Sequence, residues 1–492
     1  MPKIHVTNPA TGESLDEVPA HTAADTRTAF AFARRVQKTW AATSVKERRA
    51  IMLRYHDLLL DRQDEVMDVI QDESGKNRSG AHEEILEAAI TARHYGYAAE
   101  KLLRPTRVRG ALPLLTETYV EHPPIGVVGV IAPWNYPLTL AVSDAVAALM
   151  AGNAVVLKPD AQTPLTALKV AEILADAGLP EGLFQVVTGS GKEVGQEIVA
   201  QCDYLMFTGS TATGRTLAAQ ASERLTGFSA ELGGKNAMIV AADANVAKAA
   251  AGAVTACFSN SGQLCISIER IYVHDSVVKE FTEQFVAATK AMKVGGGHDW
   301  TLDMGSLISA EHREGVHEMV RDAVDKGATV LAGGKALPEL GEAFYSPTVL
   351  TDVPATARLH REEVFGPVVY IEAVSSHDEA VARANDTDYG LNASVWARPT
   401  TGKEIAAQLQ VGTVNVNDGY AAAWSSMDAP MGGWKASGVG RRHGEEGLLK
   451  YTEPRTVAVQ RVMPLTGPPG LDRGTVAEVY RAALKLGKRI LR

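Results

Sequence analysis

The sequence predicts an α/β protein built around parallel sheets, on three observations. Short β-branched runs alternate with helical stretches through most of the chain. Strand, helix and strand in repetition give a parallel sheet wrapped by helices. The length of 492 residues, 46% hydrophobic and 22% charged, exceeds what one hydrophobic core organises, so two or three domains are expected.

Taken in order, residues 25–97 place apolar side chains at helical spacing with few glycines, as in VKERRAIMLRYHDLLLDRQDEVMDVI, and predict long amphipathic helices. The first alternating set then reads GVVGVIAP, a helix over 142–150, NAVVLKP, a helix over 163–177, FQVVTG and a further helix. A second set begins near Gly233 with NAMIVAA, a helix through Ala256, RIYVH, a helix over 277–292, and the later strands TVLTDV and VVYIEAV. Beyond Pro464, TGPPGLDRG reads as a linker. The end, TVAEVYRAALKLGKRILR, puts Val476, Val479, Leu484 and Ile490 near one helical face, with Arg481, Lys485, Lys488, Arg489 and Arg492 around it. That predicts a basic amphipathic helix resting on its own protein or a sister subunit; contact with a membrane surface is the less favoured place.

Composition removes several function classes. The net charge of −9, with both signs interspersed, offers no basic face for a phosphate backbone, so no nucleic-acid partner is expected. Cys202, Cys257 and Cys265 form no metal-ligand spacing, no metal is called for, and so few thiols suit a reducing compartment. The start MPKIHVTNPATGE has no apolar signal segment and no stretch reaches the roughly 18 apolar residues of a membrane span, which makes the cytoplasm the expected location.

Four segments carry reactive chemistry. The loop Asn260-Ser261-Gly262-Gln263-Leu264 delivers Cys265 from a polar turn, where a cysteine can act as nucleophile, although a lone cysteine behind a loop is more often structural. In ELGGKN, Glu231 precedes a double glycine that lets a carboxylate reach a ligand and activate water; the ordinary fate of a lone Glu is a cap or a surface ion pair. PWNYP closes an apolar strand with two prolines and puts Asn135 at the strand's end, where its amide can hold an alkoxide together with a backbone N–H near the cysteine, or merely satisfy the turn. FTGSTATGR, with Gly209, Ser210 and Gly214 at a helix start, and VTGSGKEVG, with Gly189, Gly191 and Gly195, are glycine-rich loops able to face a pyrophosphate, neither with the usual dinucleotide spacing.

Together PWNYP, LKPD, FTGSTATG, ELGGKN, NSGQLC, EEVFGP and MGGWKASGVGR, in that order, resemble the motif series of the NAD(P)-dependent aldehyde dehydrogenase superfamily. The resemblance runs over roughly residues 5 to 460, and the separation of 34 positions from Glu231 to Cys265 matches the family's spacing. It implies an aldehyde dehydrogenase-like fold: a Rossmann-like cofactor domain over 1–232 interrupted by an arm segment at 117–132, a catalytic domain over 233–432, a return segment with an oligomerisation strand over 433–463, and the linker and helix over 464–492. The β-arm, from TYVEHPPI and RTVAVQRV, implies a homodimer or homotetramer.

The same resemblance implies roles. Cys265 attacks the aldehyde, Asn135 and the Cys265 N–H hold the oxyanion, hydride leaves for the nicotinamide, and Glu231 activates the water that hydrolyses the thioester. Glu363 and Phe365 grip the nicotinamide ribose and ring, Trp134, Lys158, Thr208, Gly209 and Ser210 surround the ribose and phosphates, and Leu232 and Gly233 also bind the cofactor. Ala161 stands where NAD-preferring relatives carry a Glu for the ribose hydroxyls, so NADP is favoured over NAD. Within the superfamily the sequence looks most like actinobacterial succinate-semialdehyde dehydrogenases, which implies oxidation of succinate semialdehyde to succinate. Ser259 and Ser143 stand where arginines would hold the distal carboxylate, so Ser425 and Ser426 are the candidate donors, Tyr136 and Trp424 the candidate walls of a substrate tunnel, and a broad-specificity aldehyde dehydrogenase the alternative. A CoA-acylating enzyme fits less well because Glu231 is present, and a non-catalytic protein has no use for Cys265, Glu231 and Asn135 together.

Overall fold

The VVGVI run at Val127–Ile131 is apolar on both faces, as a strand needs when it is paired on both edges and covered on both sides. In the computed structural model, which describes residues 2–110, 116–461 and 467–490, it is central to a six-stranded sheet. The order across that sheet is Gly438–Val439, Gly227–Glu231, Tyr204–Thr208, Val127–Ile131, Ala154–Lys158 and Phe184–Val186. The five strands from 127 to 231 run parallel, and the returning Gly438–Val439 is antiparallel to Gly227–Glu231. The chain leaves the central strand to one side and returns to the other, which opens a crevice beyond the ends of Val127–Ile131 and Tyr204–Thr208.

The predicted helices are present with small shifts. TLAVSDAVAALMA, at Thr139–Ala151, is buried on every face and stops at Gly152, whose φ of 99° suits glycine. Pro164–Asp176 begins on its proline, where a missing N–H costs nothing. The lead-in divides into Ala23–Ala42, Val45–Asp61, Gln63–Ser74 and Arg78–Leu102; capping boxes of Thr22 with Asp25 and Ser44 with Glu47 start the first two. An N-terminal hairpin, Lys3–Thr7 with Ser14–Pro19, was not predicted, because its side chains are mostly exposed and carry little apolar alternation.

The second sheet has seven strands in the order Thr329–Ala332, Thr348–Thr351, Val368–Val374, Ile268–His274, Asn236–Val240, Asn392–Trp396 and Thr413–Val416. All neighbours are parallel except the first pair. Val246–Phe258 and Val278–Ala291 pack against each other on it, close to the expected bounds.

The arm departs from expectation. Thr106–Arg109, Thr116–Glu121 and Arg455–Gln460 form a three-stranded antiparallel sheet with Thr116–Glu121 in the middle. An arm over 117–132 is therefore overturned: after Glu121 the two prolines and Gly126 (φ 135°) break the strand, and the fully apolar run that follows goes into the six-stranded core. The C-terminal helix, Arg473–Ile490, is amphipathic as predicted. Val479 and Leu484 of its apolar face are not buried in its own chain, being 61% and 75% exposed. Residues 462–466 and 491–492, with the side chains of Arg489 and Ile490, lie outside the described residues. Among the described residues no helix is long and apolar enough to cross a membrane.

Candidate active site

Four strand ends deliver side chains into the crevice. Val127–Ile131 runs into the Pro133–Tyr136 turn, Ala154–Lys158 ends on Lys158, Tyr204–Thr208 leads to Gly209 and Ser210, and Gly227–Glu231 ends on Glu231. Register fixes the last two against each other, with Thr208 paired to Glu231 and the Gly209 N–H donating to the Glu231 carbonyl at 3.1 Å. From the other sheet come the loop before Ile268–His274, carrying Cys265, and the turn before Val368–Val374, carrying Glu363 and Phe365.

One cleft of about 250 Å³ is lined by Cys265, Glu231, Asn135, Glu363 and Phe365, together with Trp134, Thr208, Gly209, Ser210, Leu232 and Gly233. All of these were predicted. A wider cleft continues from it past Lys158, Asp160 and Ala161 to the Gly189–Gly195 loop, sharing Trp134, Thr208, Gly209 and Ser210. Ser210 caps the helix Thr211–Glu223 by accepting from the Thr213 N–H, and Ser210, Ala212 and Thr213 line the wider cleft. A Cβ on Gly209 would come within 2.6 Å of the Phe207 ring.

The cysteine loop is backbone-strained and heavily tied. Asn260 and Ser261 hold φ of 49° and 56°, and Gly262 follows at 70°. Asn135 Nδ2 donates to the Gln263 carbonyl at 3.0 Å, and Asn236 Nδ2 donates to the Cys265 carbonyl at 2.8 Å. Cys265 is partly exposed, whereas Cys202 and Cys257 are buried. Burial, with the Glu231 and Glu363 carboxyls nearby, pushes the Cys265 thiol up to about 12, so it rests protonated. Burial also raises Glu231 to about 8, against the pull of Arg442 and Lys450.

Glu363 and Phe365 belong to a braced unit. Glu363 accepts from the Gly234 N–H at 2.7 Å, and burial with the neighbouring Glu269 raises it to about 8. Phe365 meets Trp134 edge-on at 5.5 Å. Its turn is held by Glu269, which accepts from the Val364 and Phe365 N–H groups and from Lys235 Nζ at 2.5 Å. At the other end Lys158 donates to the Pro159 carbonyl at 3.0 Å, leaving two of its N–H bonds for a ligand.

The proposed tunnel residues are not brought into the cleft. Tyr136 is buried with Lys76 Nζ 3.9 Å from its ring centre. Ser259 accepts from Tyr420 Oη at 2.9 Å and faces a separate cleft with Glu83 and Asn260. The Ser425 and Ser426 hydroxyls donate to the Ala421 and Ala422 carbonyls at 2.7 Å, which removes them as ready donors for a carboxylate. Trp424 is half-buried against the same apolar core as Cys265 and Tyr136.

Sequence reasoning missed the charges behind Glu231. Asp144 is buried with Arg442 at 2.7 Å, Lys450 at 2.8 Å and the Tyr451 hydroxyl at 2.7 Å. Burial works to raise Asp144, but Arg442 and Lys450 outweigh it and hold the carboxyl well below its usual range. The available signal was Asp144 itself, the one charge in a thirteen-residue apolar helix.

A Mycolicibacterium smegmatis protein provisionally named succinate-semialdehyde dehydrogenase (NADP+) is 56% identical over 484 residues, 97% of this chain and 94% of that protein. A glutarate-semialdehyde dehydrogenase of Pseudomonas aeruginosa is 38% identical over 453 residues, 92% of each. A crystal structure described as an E. coli NADP-dependent enzyme superposes with a TM-score of 0.90 at 37% identity, covering 93% of this chain and 95% of its own. The aldehyde dehydrogenase family matches residues 2–457, and the chain belongs to that family.

Proposed function

We propose that the protein oxidises succinate semialdehyde to succinate with NADP+ through a thioester on Cys265. The observation that carries the chemistry is the single cleft that holds Cys265, Glu231 and Asn135 against Glu363 and Phe365. The names of the relatives at 56% and 54% identity support the substrate and cofactor.

Cys265, resting as a thiol, loses its proton to solvent as its sulfur bonds to the aldehyde carbon. The alkoxide so formed is held by the second N–H of Asn135 Nδ2 and by the Cys265 N–H. A nicotinamide dinucleotide held by the residues lining the two clefts would supply the acceptor for the hydride that leaves the former aldehyde carbon. Glu231 then takes a proton from water, whose oxygen attacks the thioester; the carbon–sulfur bond breaks, the acid leaves and Cys265 recovers its proton. Glu363 and Phe365 orient the nicotinamide end. Ala161, lacking a carboxylate, and Lys158 leave the ribose end open to a 2′-phosphate, which favours NADP+ over NAD+.

In this reading the cofactor-binding part surrounds the six-stranded sheet, the catalytic part the seven-stranded one, and the arm joins copies into a homodimer or homotetramer in the cytoplasm. A second reading, broad specificity toward aliphatic or aromatic aldehydes, has one observation in its favour: no arginine or lysine is among the residues lining the cleft beside Cys265. Steady-state kcat/KM for succinate semialdehyde, hexanal and benzaldehyde, each with NAD+ and NADP+, separates the two. A preference of about 100-fold or more for succinate semialdehyde supports the first, and comparable values support the second.

A further inference from the structure

Beneath the Pro133–Tyr136 turn lies an ion pair that has no role in the chemistry above. The Lys76 and Glu84 side chains are in direct contact and wholly buried. Taking both charges out of water costs about as much as their attraction returns, and an apolar pair of the same size would serve the core equally well. What the pair does is visible in its hydrogen bonds. Lys76 Nζ donates to the Asn135 carbonyl at 2.9 Å and sits against the Tyr136 ring. The other oxygen of Glu84 accepts from the Leu138 and Thr139 N–H groups at 2.9 and 3.0 Å. One pair therefore grips the turn at Asn135 and again at the start of the helix that follows.

The grip extends to the nucleophile. The Asn135 carbonyl also accepts from Asn260 Nδ2 at 2.8 Å, and the Asn135 and Asn260 amides both donate to the Gln263 carbonyl, at 3.0 and 3.1 Å. Asn260 is one of the two non-glycine residues of the cysteine loop that are left-handed, a conformation that persists only where its surroundings over-determine it. Lys76 itself stands at the seam: the preceding Gly75 carbonyl accepts from the Ser306 N–H at 2.9 Å, and Ser261 Oγ donates to the adjacent Gly305 carbonyl at 3.0 Å.

We propose that Lys76, held by Glu84, is a positioning residue for the oxyanion site, fixing the Asn135 backbone so that the free N–H of the Asn135 amide stays aimed at the substrate oxygen beside Cys265. The proposal rests on the reading of Asn135 as the oxyanion donor.

The test is a cycle of variants followed by rapid-mixing measurement of the first hydride transfer, using succinate semialdehyde or hexanal, whichever the wild-type enzyme oxidises faster. Lys76→Met with Glu84→Gln leaves a neutral pair in which the Gln oxygen still accepts from Leu138 and Thr139. This double variant is expected to slow the burst about tenfold or more, with the NADP+ dissociation constant unchanged. Placed on Asn135→Ala, the same two changes are expected to cost less than about threefold, because Lys76 acts through Asn135. A wild-type burst in the double variant overturns the proposal, and so does the full loss persisting without the Asn135 amide. If the neutral pair does not fold, Lys76→Arg decides: a slowed burst with unchanged NADP+ affinity is expected, and a wild-type burst overturns the proposal. Asn135→Ala alone with a wild-type burst would instead remove the oxyanion reading on which the proposal stands.

Discussion

Replacing Glu231 with Gln keeps the side chain's shape and removes its ability to take a proton. Burial lifts the carboxyl to about 8 while Arg442 and Lys450 pull the other way. A raised carboxyl is protonated below that value, so roughly one site in ten carries the accepting form at pH 7 and roughly nine in ten at pH 9. Where hydrolysis of the thioester limits turnover, wild-type kcat rises about tenfold across that interval and levels off above it. Glu231→Gln is expected to lose the rising limb and about 10²- to 10⁴-fold in kcat. Rapid mixing with succinate semialdehyde and NADP+ then reads one NADPH per Cys265 before the reaction stalls. A variant that retains steady-state turnover within about threefold of wild type, or that keeps the same limb near pH 8, refutes the assignment of Glu231 as the base.

Three further perturbations test other parts of the account. Ala161→Glu puts a carboxylate at the ribose end of the cleft and is expected to move the NADP+ to NAD+ ratio of kcat/KM by about tenfold or more toward NAD+; an unchanged ratio removes Ala161 from cofactor choice. Gly233→Ala would set a Cβ 2.3 Å from a Glu363 oxygen, so displacement of that carboxyl should raise the KM for the dinucleotide about tenfold with little change in melting temperature. Asp144→Asn leaves Arg442 and Lys450 buried without their anion and is expected to cost about 3–5 kcal/mol in denaturant unfolding. Because the folded Asp144 carboxyl lies below its unfolded value, its contribution is present above about pH 4 and is lost as pH falls further, so the variant's deficit should shrink in acid.

Much of the site was legible because it sits where periodicity ends. Asn135, Lys158 and Ser210 each sit at the end of an apolar run that marks a parallel strand, and the strand ends of such a sheet are where ligands bind, whereas Glu231, behind GFSA, was singled out by the double glycine after it. Cys265 and Glu363 gained meaning only through their place in an ordered motif series. The arm was misplaced because TYVEHPPI and the core strand at 127–131 are almost contiguous, and only burial tells them apart. Ser425 and Ser426 were read as free hydroxyls, since nothing in the sequence shows that a short helix, Ala421–Trp424, would turn them back on its own carbonyls. The Lys76–Glu84 and Asp144–Arg442 pairs were invisible for a related reason. Eight residues separate the first pair and nearly three hundred the second, and no local pattern brings such partners together.

The central claim is the covalent intermediate on Cys265, and the direct measurement is mass analysis of the cysteine-bearing peptides after Glu231→Gln enzyme is mixed with succinate semialdehyde and NADP+ and quenched in acid. The account predicts a succinyl group on Cys265, none on Cys202 or Cys257, and no NADPH from a Cys265→Ala variant. Unmodified Cys265 alongside a full burst of NADPH, or a Cys265→Ala enzyme that still oxidises the aldehyde, would contradict it.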